Sequence, residues 1–341
     1  MRKKSKKILA GDIGGTKTDL ALFSGDRRSS VFEAEATFAS GDYPSLEAIV
    51  RQYLDGITGD VDIVAACFGV AGPVLRGEAK ITNLPWIIKE ETLAKTFSFA
   101  EVRLINDLMA CAYAVPLLEK GDLYELNRGV DSPQGAIALV APGTGLGEAF
   151  LISDKKRYLA CPSEGGHTDF APADDLEAGL LGYLRRRYGH VSYENVCSGM
   201  GILNIYNYLK ECGYAPEPEW LTQLLAAADD PVPIIVQSAL AQDRDCLIGR
   251  DTLKTFVSIL GAEAGNVALK IMALGGVYLG GGILPKIVSA VAAGPFMDSF
   301  CRKGRMSGLL RRIPVFVIMN PKAALCGAAY YQRDRILNRV G

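Results

Sequence analysis

The stretch GDIGGTKTDLALF, residues 11–23, decides the fold. Apolar residues 8–10 lead into it and Leu20-Ala21-Leu22-Phe23 leads out, so it reads as a strand, a tight glycine turn and a second strand. Gly14 and Gly15 carry no Cβ, which lets the backbone take positive φ and approach an anion closely, and Thr16 adds a hydroxyl donor. A phosphate suits such a nest. A single glycine hairpin also arises for purely steric reasons, so its meaning depends on what accompanies it.

APGTGLGEAFLI, residues 141–152, repeats the pattern further along the chain. Two such hairpins, one per lobe and facing each other, would offer backbone N–H groups from Gly11, Gly14 and Gly15 on one side and from Gly143 and Gly145 on the other, with Thr144 as a second hydroxyl. Asp12 ends the first strand, where a carboxylate beside polyphosphate is repelled unless a divalent cation lies between them. That points to Mg²⁺ at Asp12; the competing reading is an aspartate that satisfies its own turn. GGVYLGGG, residues 275–282, joins a strand to a helix expected near Leu284 and Pro285, bringing Gly280, Gly281 and Gly282 to a flat ligand or a phosphate. Neither segment fits the G-x-x-x-x-G-K-[ST] loop or a G-x-G-x-x-G with a downstream acid, which favours a mononucleotide over a dinucleotide.

The chain has 341 residues, enough for two lobes of roughly 150 each. Lys and Arg number 37 against 38 Asp and Glu, so a net charge of -1 leaves no electrostatic footprint for nucleic acid or an acidic membrane. A small-molecule partner is favoured. The basic run at residues 2–7 precedes only three apolar residues and reads as a solvated tail, not a signal peptide. The longest apolar run, 271–284, contains five glycines and falls short of the roughly 20 residues a bilayer needs. Eight cysteines without a C-x-x-C pair read as reduced core thiols, which suits the cytoplasm.

Strand-like runs at 8–10, 20–23, 63–70, 102–105, 136–141, 149–152, 276–279 and 315–318 alternate with helical patterns, one opened by Pro44 and one by Asn106; the class is α/β. Residues 124–134 and 213–219 read as irregular loops.

VRLINDLM, residues 102–109, is a strand ending in Asn106-Asp107 as a helix begins. Either residue could cap the helix, worth about 1 kcal/mol. Alternatively, Asp107 is a general base taking a proton from a substrate hydroxyl. In SEGGHTDF, residues 163–170, Glu164 and His167 flank two glycines and can both address neighbouring hydroxyls of one polar ligand. Glu194 reads equally as a surface carboxylate or as a functional group. The TNLPW turn, residues 82–86, offers an aromatic that packs or lines a sugar face.

Together GDIGGTKT, TNLPW, LINDLMACAYAVP, APGTGLG, PSEGGHTDFAP, GHVSYENVCSG, GGVYLGGGILPK and ALCGAAYY resemble, in order and over most of the chain, the bacterial glucokinases of the hexokinase and actin-like ATPase superfamily. The resemblance implies two α/β lobes, each on a ribonuclease-H-like core, flanking a central cleft: a small lobe of residues 1–117 plus 322–341 and a large lobe of 118–321. It implies that Asp107 is the catalytic base for a sugar 6-hydroxyl and that Asn106, Glu164, His167 and Glu194 bind the other hydroxyls. It further implies that residues 11–16 and 143–147 cradle ATP phosphates, that residues 280–282 lie by the adenosine, and that the protein is a homodimer. Lys17 and Met200 depart from the family pattern, and the cysteine-rich zinc motif of the related repressor–kinase family is absent. A kinase for mannose or an N-acetylhexosamine, a polyphosphate donor, and a catalytically silent sugar-binding regulator are the competing expectations.

Overall fold

The computed structural model describes residues 6–24, 32–58, 61–81, 84–130, 132–154, 157–241, 243 and 245–338. Residues 2–5 of the basic run, Thr82 and Asn83 of the TNLPW turn, and Asp131 lie outside them. The chain divides into two compact units, Met1–Leu118 with Asn320–Gly341, and Glu119–Met319.

The first unit is built on β1 (Lys6–Ile13), β2 (Lys17–Ser24), β3 (Phe32–Ala39), β4 (Asp62–Val70) and, after a small sheet of β5 (Val74–Leu75), β6 (Glu78–Lys80) and β7 (Ile87–Lys89), β8 (Glu101–Asn106). The main sheet runs β3-β2-β1-β4-β8, with the first three strands antiparallel and β1, β4 and β8 parallel. Period-two alternation sorts its side chains. Leu9, Ile13, Leu20 and Leu22 face α1 (Leu46–Asp55), whose Leu46, Ile49, Val50 and Tyr53 share their core, while Ile8, Ala10, Ala21 and Phe23 join a separate cluster on the other face. Between β7 and β8 lies α2 (Glu90–Phe97), and α3 (Asp107–Ala114) follows β8 directly.

The second unit repeats the plan. β9 (Leu123–Asn127), β10 (Ile137–Pro142), β11 (Leu146–Ser153), β12 (Tyr158–Ser163), β13 (Gly276–Leu279) and β14 (Val315–Ile318) form a sheet ordered β12-β11-β10-β13-β14-β9. β10–β11 is the antiparallel counterpart of β1–β2, and β10, β13 and β14 run parallel as β1, β4 and β8 do. Between β12 and β13 run α4 (Asp175–Tyr188), α5 (Gly199–Glu211), α6 (Glu219–Ala226), α7 (Val232–Leu240) and α8 (Leu247–Ile271), and α9 (Val288–Ala292), α10 (Pro295–Cys301) and α11 (Ser307–Leu310) precede β14. α8 is apolar on most sides and forms the axis of this core; at Gly261 and Gly265 a Cβ would strike the backbone oxygens of Phe296 and Phe300, so α10 lies directly on it.

The last helix, α12 (Ala323–Asn338), belongs to the first unit. Its Leu325 and Ala329 complete the cluster of Ile8, Ala10, Ala21 and Phe23, and Gly327 lets it approach α3 so closely that a Cβ would collide with the Ala110 carbonyl.

Three expectations need correction. Residues 124–134 are not wholly irregular, because β9 adds antiparallel to the edge at β14. No long helix starts near Leu284 and Pro285: a single 3₁₀ turn, Leu284–Lys286, precedes the five-residue α9, leaving little aligned dipole to attract an anion. Among the described residues with left-handed backbone, Gly281 appears at φ 85°, but Gly14 and Gly15 do not. Among the described residues no helix is long and apolar enough to cross a membrane, and all eight cysteines are free.

Candidate active site

In the first unit the β1–β2 hairpin closes where Gly14 N–H donates to the Lys17 carbonyl at 2.9 Å. Ser40 fastens the turn from outside: its hydroxyl donates to the Gly14 carbonyl at 2.8 Å, its N–H to the Thr16 carbonyl at 3.0 Å, and its oxygen lies 2.9 Å from Thr18 Oγ1. Thr16 is exposed at the tip. Gly11 is a packing glycine inside β1, since a Cβ there would meet Phe68 at 2.6 Å and Leu20 at 2.8 Å.

At the end of β8 the chain chooses between two possible caps. Asn106 is extended (φ -63°, ψ 147°), and its Oδ1 accepts from Leu108 N–H at 3.0 Å and Met109 N–H at 3.3 Å; its Nδ2 donates to the Gly72 carbonyl at 3.2 Å. Asn106 is therefore the N-cap. Asp107, in the first helical position, has one carboxylate oxygen on Leu108 N–H at 2.8 Å. Burial raises the Asp107 carboxyl above its ordinary range, against the lowering effect of these N–H groups. Asp12 is pushed up to about 6, first by burial, then by the charges of Asp107 and Asp19, with Lys17 opposing. Asp19 itself is held by Lys17 Nζ at 2.6 Å and Thr37 Oγ1 at 2.6 Å.

These residues fit a magnesium ion. No group of three or more His, Cys, Asp or Glu among the described residues could hold a metal by itself. Mg²⁺ does not need such a cage, since it typically binds through one or two carboxylates, retained waters and substrate phosphates. Asp12 would supply the hard oxygen, and its burial beside the charges of Asp107 and Asp19 leaves that carboxylate short of compensating positive charge.

In the second unit three glycine segments meet at the ends of β10 and β13. The Gly143–Gly145 turn closes through Gly143 N–H on the Gly145 carbonyl at 2.8 Å, and the Gly143 carbonyl accepts from Gly199 N–H at 2.9 Å. Gly280 N–H donates to the Val140 carbonyl at 2.9 Å, and Gly281 has no room for a Cβ because the Pro142 carbonyl occupies it. Thr144 is exposed.

Glu194 ties this turn to the Glu164–His167 segment. Its Oε2 accepts from Leu146 N–H at 3.0 Å and fills the space a Cβ on Gly145 would need, while its Oε1 lies 4.0 Å from His167 Nδ1. His167 N–H donates to the Glu164 carbonyl at 3.0 Å, closing a 3₁₀ turn whose Gly166 abuts the Leu146 carbonyl. Glu164 and His167 are exposed, and Glu194 is half-buried. The arrangement offers a row of carboxylate acceptors and an imidazole to a polyhydroxylated ligand.

A glucokinase family model matches residues 9–335. The chain belongs to the glucokinase family. It is 40% identical over 336 residues to the glucokinase of Nostoc punctiforme, covering 94% of this chain and 97% of that one. It is 35% identical over 333 residues to the glucokinase of Cronobacter sakazakii, covering 97% and 98%. Among solved structures, a glucokinase from an Antarctic psychrotroph superposes with a TM-score of 0.82 at 33% identity, over 96% of this chain and 99% of that one. The fold is accordingly the actin-like ATPase fold of glucokinases.

Sequence reasoning overlooked two supports of this candidate site. Ser198 caps α5 through Gly201 N–H at 3.1 Å and donates to the Glu194 carbonyl at 2.7 Å, fixing the backbone beneath that carboxylate. Its signal was present, a serine immediately before a helical apolar pattern. Ser40, far in sequence from the hairpin it fastens, gave none.

Proposed function

We propose that this chain transfers the γ-phosphoryl group of ATP to the 6-hydroxyl of D-glucose, giving glucose 6-phosphate and ADP. Family membership over nearly the whole chain supports a glucose-phosphorylating kinase. The observation that carries the mechanism is the division of labour at residues 106 and 107: Asn106 takes the helix cap, leaving the Asp107 carboxyl for chemistry.

Asp107, in its carboxylate form, accepts the 6-hydroxyl proton as that oxygen attacks the γ-phosphorus; the bond to the bridging oxygen breaks and its electron pair leaves with ADP. An amide nitrogen carries two protons, and Gly72 takes one from Asn106; the other goes to a sugar hydroxyl. Glu164 and Glu194 accept from further hydroxyls and His167 completes the set. The backbone of Gly15 and Thr16, and that of Thr144 and Gly145, receives phosphate oxygens; Gly11 and Asp12, paired within β1, and Gly14 and Gly143, whose N–H groups close the turns, shape the chain around them, while Gly280, Gly281 and Gly282 lie along the adenosine. Asp12 would hold Mg²⁺, which would neutralise charge on the phosphates. The same reading makes the protein a cytoplasmic homodimer that takes a hexose and a nucleotide, not nucleic acid or membrane.

The test is ADP release by the purified protein with MgATP across glucose, mannose, fructose, N-acetylglucosamine and N-acetylmannosamine. Glucose should stimulate release most strongly. Preference for an acetylated sugar would keep the chemistry and overturn the substrate, and sugar binding without release at any sugar would overturn the kinase.

A further inference from the structure

Beneath the Glu164–His167 turn lies a pair of acids that the proposed chemistry does not use. Glu148, on β11 opposite Ser163, is 2% exposed, and its carboxylate occupies the space that a Cβ on Gly165 would need. Glu263, on α8, is fully buried and its charge bears directly on Glu148. Oε1 of each acid has no hydrogen-bond partner.

The surrounding groups compensate only in part. Lys270 Nζ, on the exposed end of α8, stands 3.6 Å from Glu263 Oε1. Glu263 Oε2 accepts from Asn266 Nδ2 at 2.8 Å; the same amide donates to Tyr193 Oη at 2.9 Å, and Lys303 Nζ donates to Asn266 Oδ1 at 2.6 Å. Cys197 and Glu177 are the remaining ionisable groups in this neighbourhood; burial pushes both up, so neither adds positive charge. Two carboxylates this deep cannot both hold a charge cheaply. Burial and Glu263 push Glu148 up to about 7, with Lys270 opposing.

The pair also supports both sugar-facing segments. Glu148 packs against Gly165, inside the Glu164–His167 turn, and Glu263 reaches through Asn266 to Tyr193, the neighbour of Glu194. We propose that Glu148, buried against Gly165 with an unpartnered Oε1, holds a proton beside the buried Glu263 and that this proton keeps the sugar-binding turn in place, making both acids positioning residues for the substrate. This rests on the reading of residues 164–167 and 194 as sugar ligands. Loss of the proton leaves an uncompensated charge under Gly165, and the turn must shift to hydrate it.

The experiment is calorimetric glucose binding, with steady-state kinetics alongside, from pH 6 to 9 for the wild type, Glu148→Gln and Glu263→Gln. An amide at 148 mimics the protonated acid, and an amide at 263 removes the charge that bears on Glu148. The wild-type Kd and KM for glucose should rise about tenfold between pH 6.5 and 8.5. Both variants should stay near the low-pH value throughout, while kcat at saturating glucose follows one pH profile in all three. A variant that tracks the wild-type Kd curve, or a wild-type Kd that does not change with pH, overturns the inference. Folded protein that binds no glucose at any pH contradicts the glucose reading itself, an outcome distinct from binding whose pH dependence the variants leave unchanged.

Discussion

At Gly145 a single methyl group would land on the Glu194 carboxylate. Backbone conformation does not demand glycine there, since Gly145 is not among the left-handed residues described. The constraint is the side chain that bridges Leu146 N–H and His167. Gly145→Ala should therefore fold but displace Glu194; at about 1–3 kcal/mol of overpacking, the KM for glucose should rise tenfold or more in steady-state assays. Asn106→Ala removes a cap and should lower stability by about 1 kcal/mol in denaturant titration, in addition to any loss of activity. Asp12 makes stability fall as pH rises. Its folded pKa of about 6 lies above the ordinary 3.8, so the folded state binds the extra proton, and the stability this confers at low pH is lost as pH rises from about 4 to 6. At pH 7 with chelator present, Asp12→Asn should be more stable than the wild type by up to about 3 kcal/mol, yet should lose Mg²⁺-dependent turnover. The Asn106-Asp107 pair was legible as a strand end where one of the two caps a helix, but not which one, because both side chains accept hydrogen bonds and only the extended backbone of Asn106 decides. Glu148 left no sign at all: in LGEAFLIS it is one charge in an apolar strand, and its partner lies on a helix far along the chain.

Among the elements, the α12–α3 crossing depends most on one residue. Gly327 brings the helices so close that any side chain would strike the Ala110 carbonyl, and α3 carries Asp107 at its start. Gly327→Leu should cost about 1–3 kcal/mol or more and lower the melting midpoint seen by circular dichroism. If the melt were unchanged, that close packing would not be supporting the unit. The glycine hairpins were readable because apolar runs bracket each turn. α8 was not: apolar on most sides, it lacks the one-sided periodicity that announces a surface helix. β3 and β9 escaped for the opposite reason, as edge strands none of whose residues is fully buried.

Across the whole molecule, the two units share one strand plan, β3-β2-β1-β4-β8 in the first and β12-β11-β10-β13-β14 in the second, to which β9 adds an edge. The echo of residues 11–23 in residues 141–152 marked this repetition, because each quoted stretch is the glycine hairpin at the matching place in its unit's sheet. The return of α12 to the first unit was not readable from spacing; it came only with the family resemblance, since the residues that bury it, Ile8, Ala10, Ala21 and Phe23, lie at the opposite end of the chain. The central claim is that this chain phosphorylates glucose with Asp107 as the base. It is tested most directly by measuring glucose-dependent ADP release and calorimetric glucose binding for the wild type and Asp107→Ala side by side. The expected result is that the variant keeps its fold and binds glucose within a few-fold of the wild type, while turnover drops by about 10²–10⁴. Wild-type turnover in a folded Asp107→Ala protein would contradict the account.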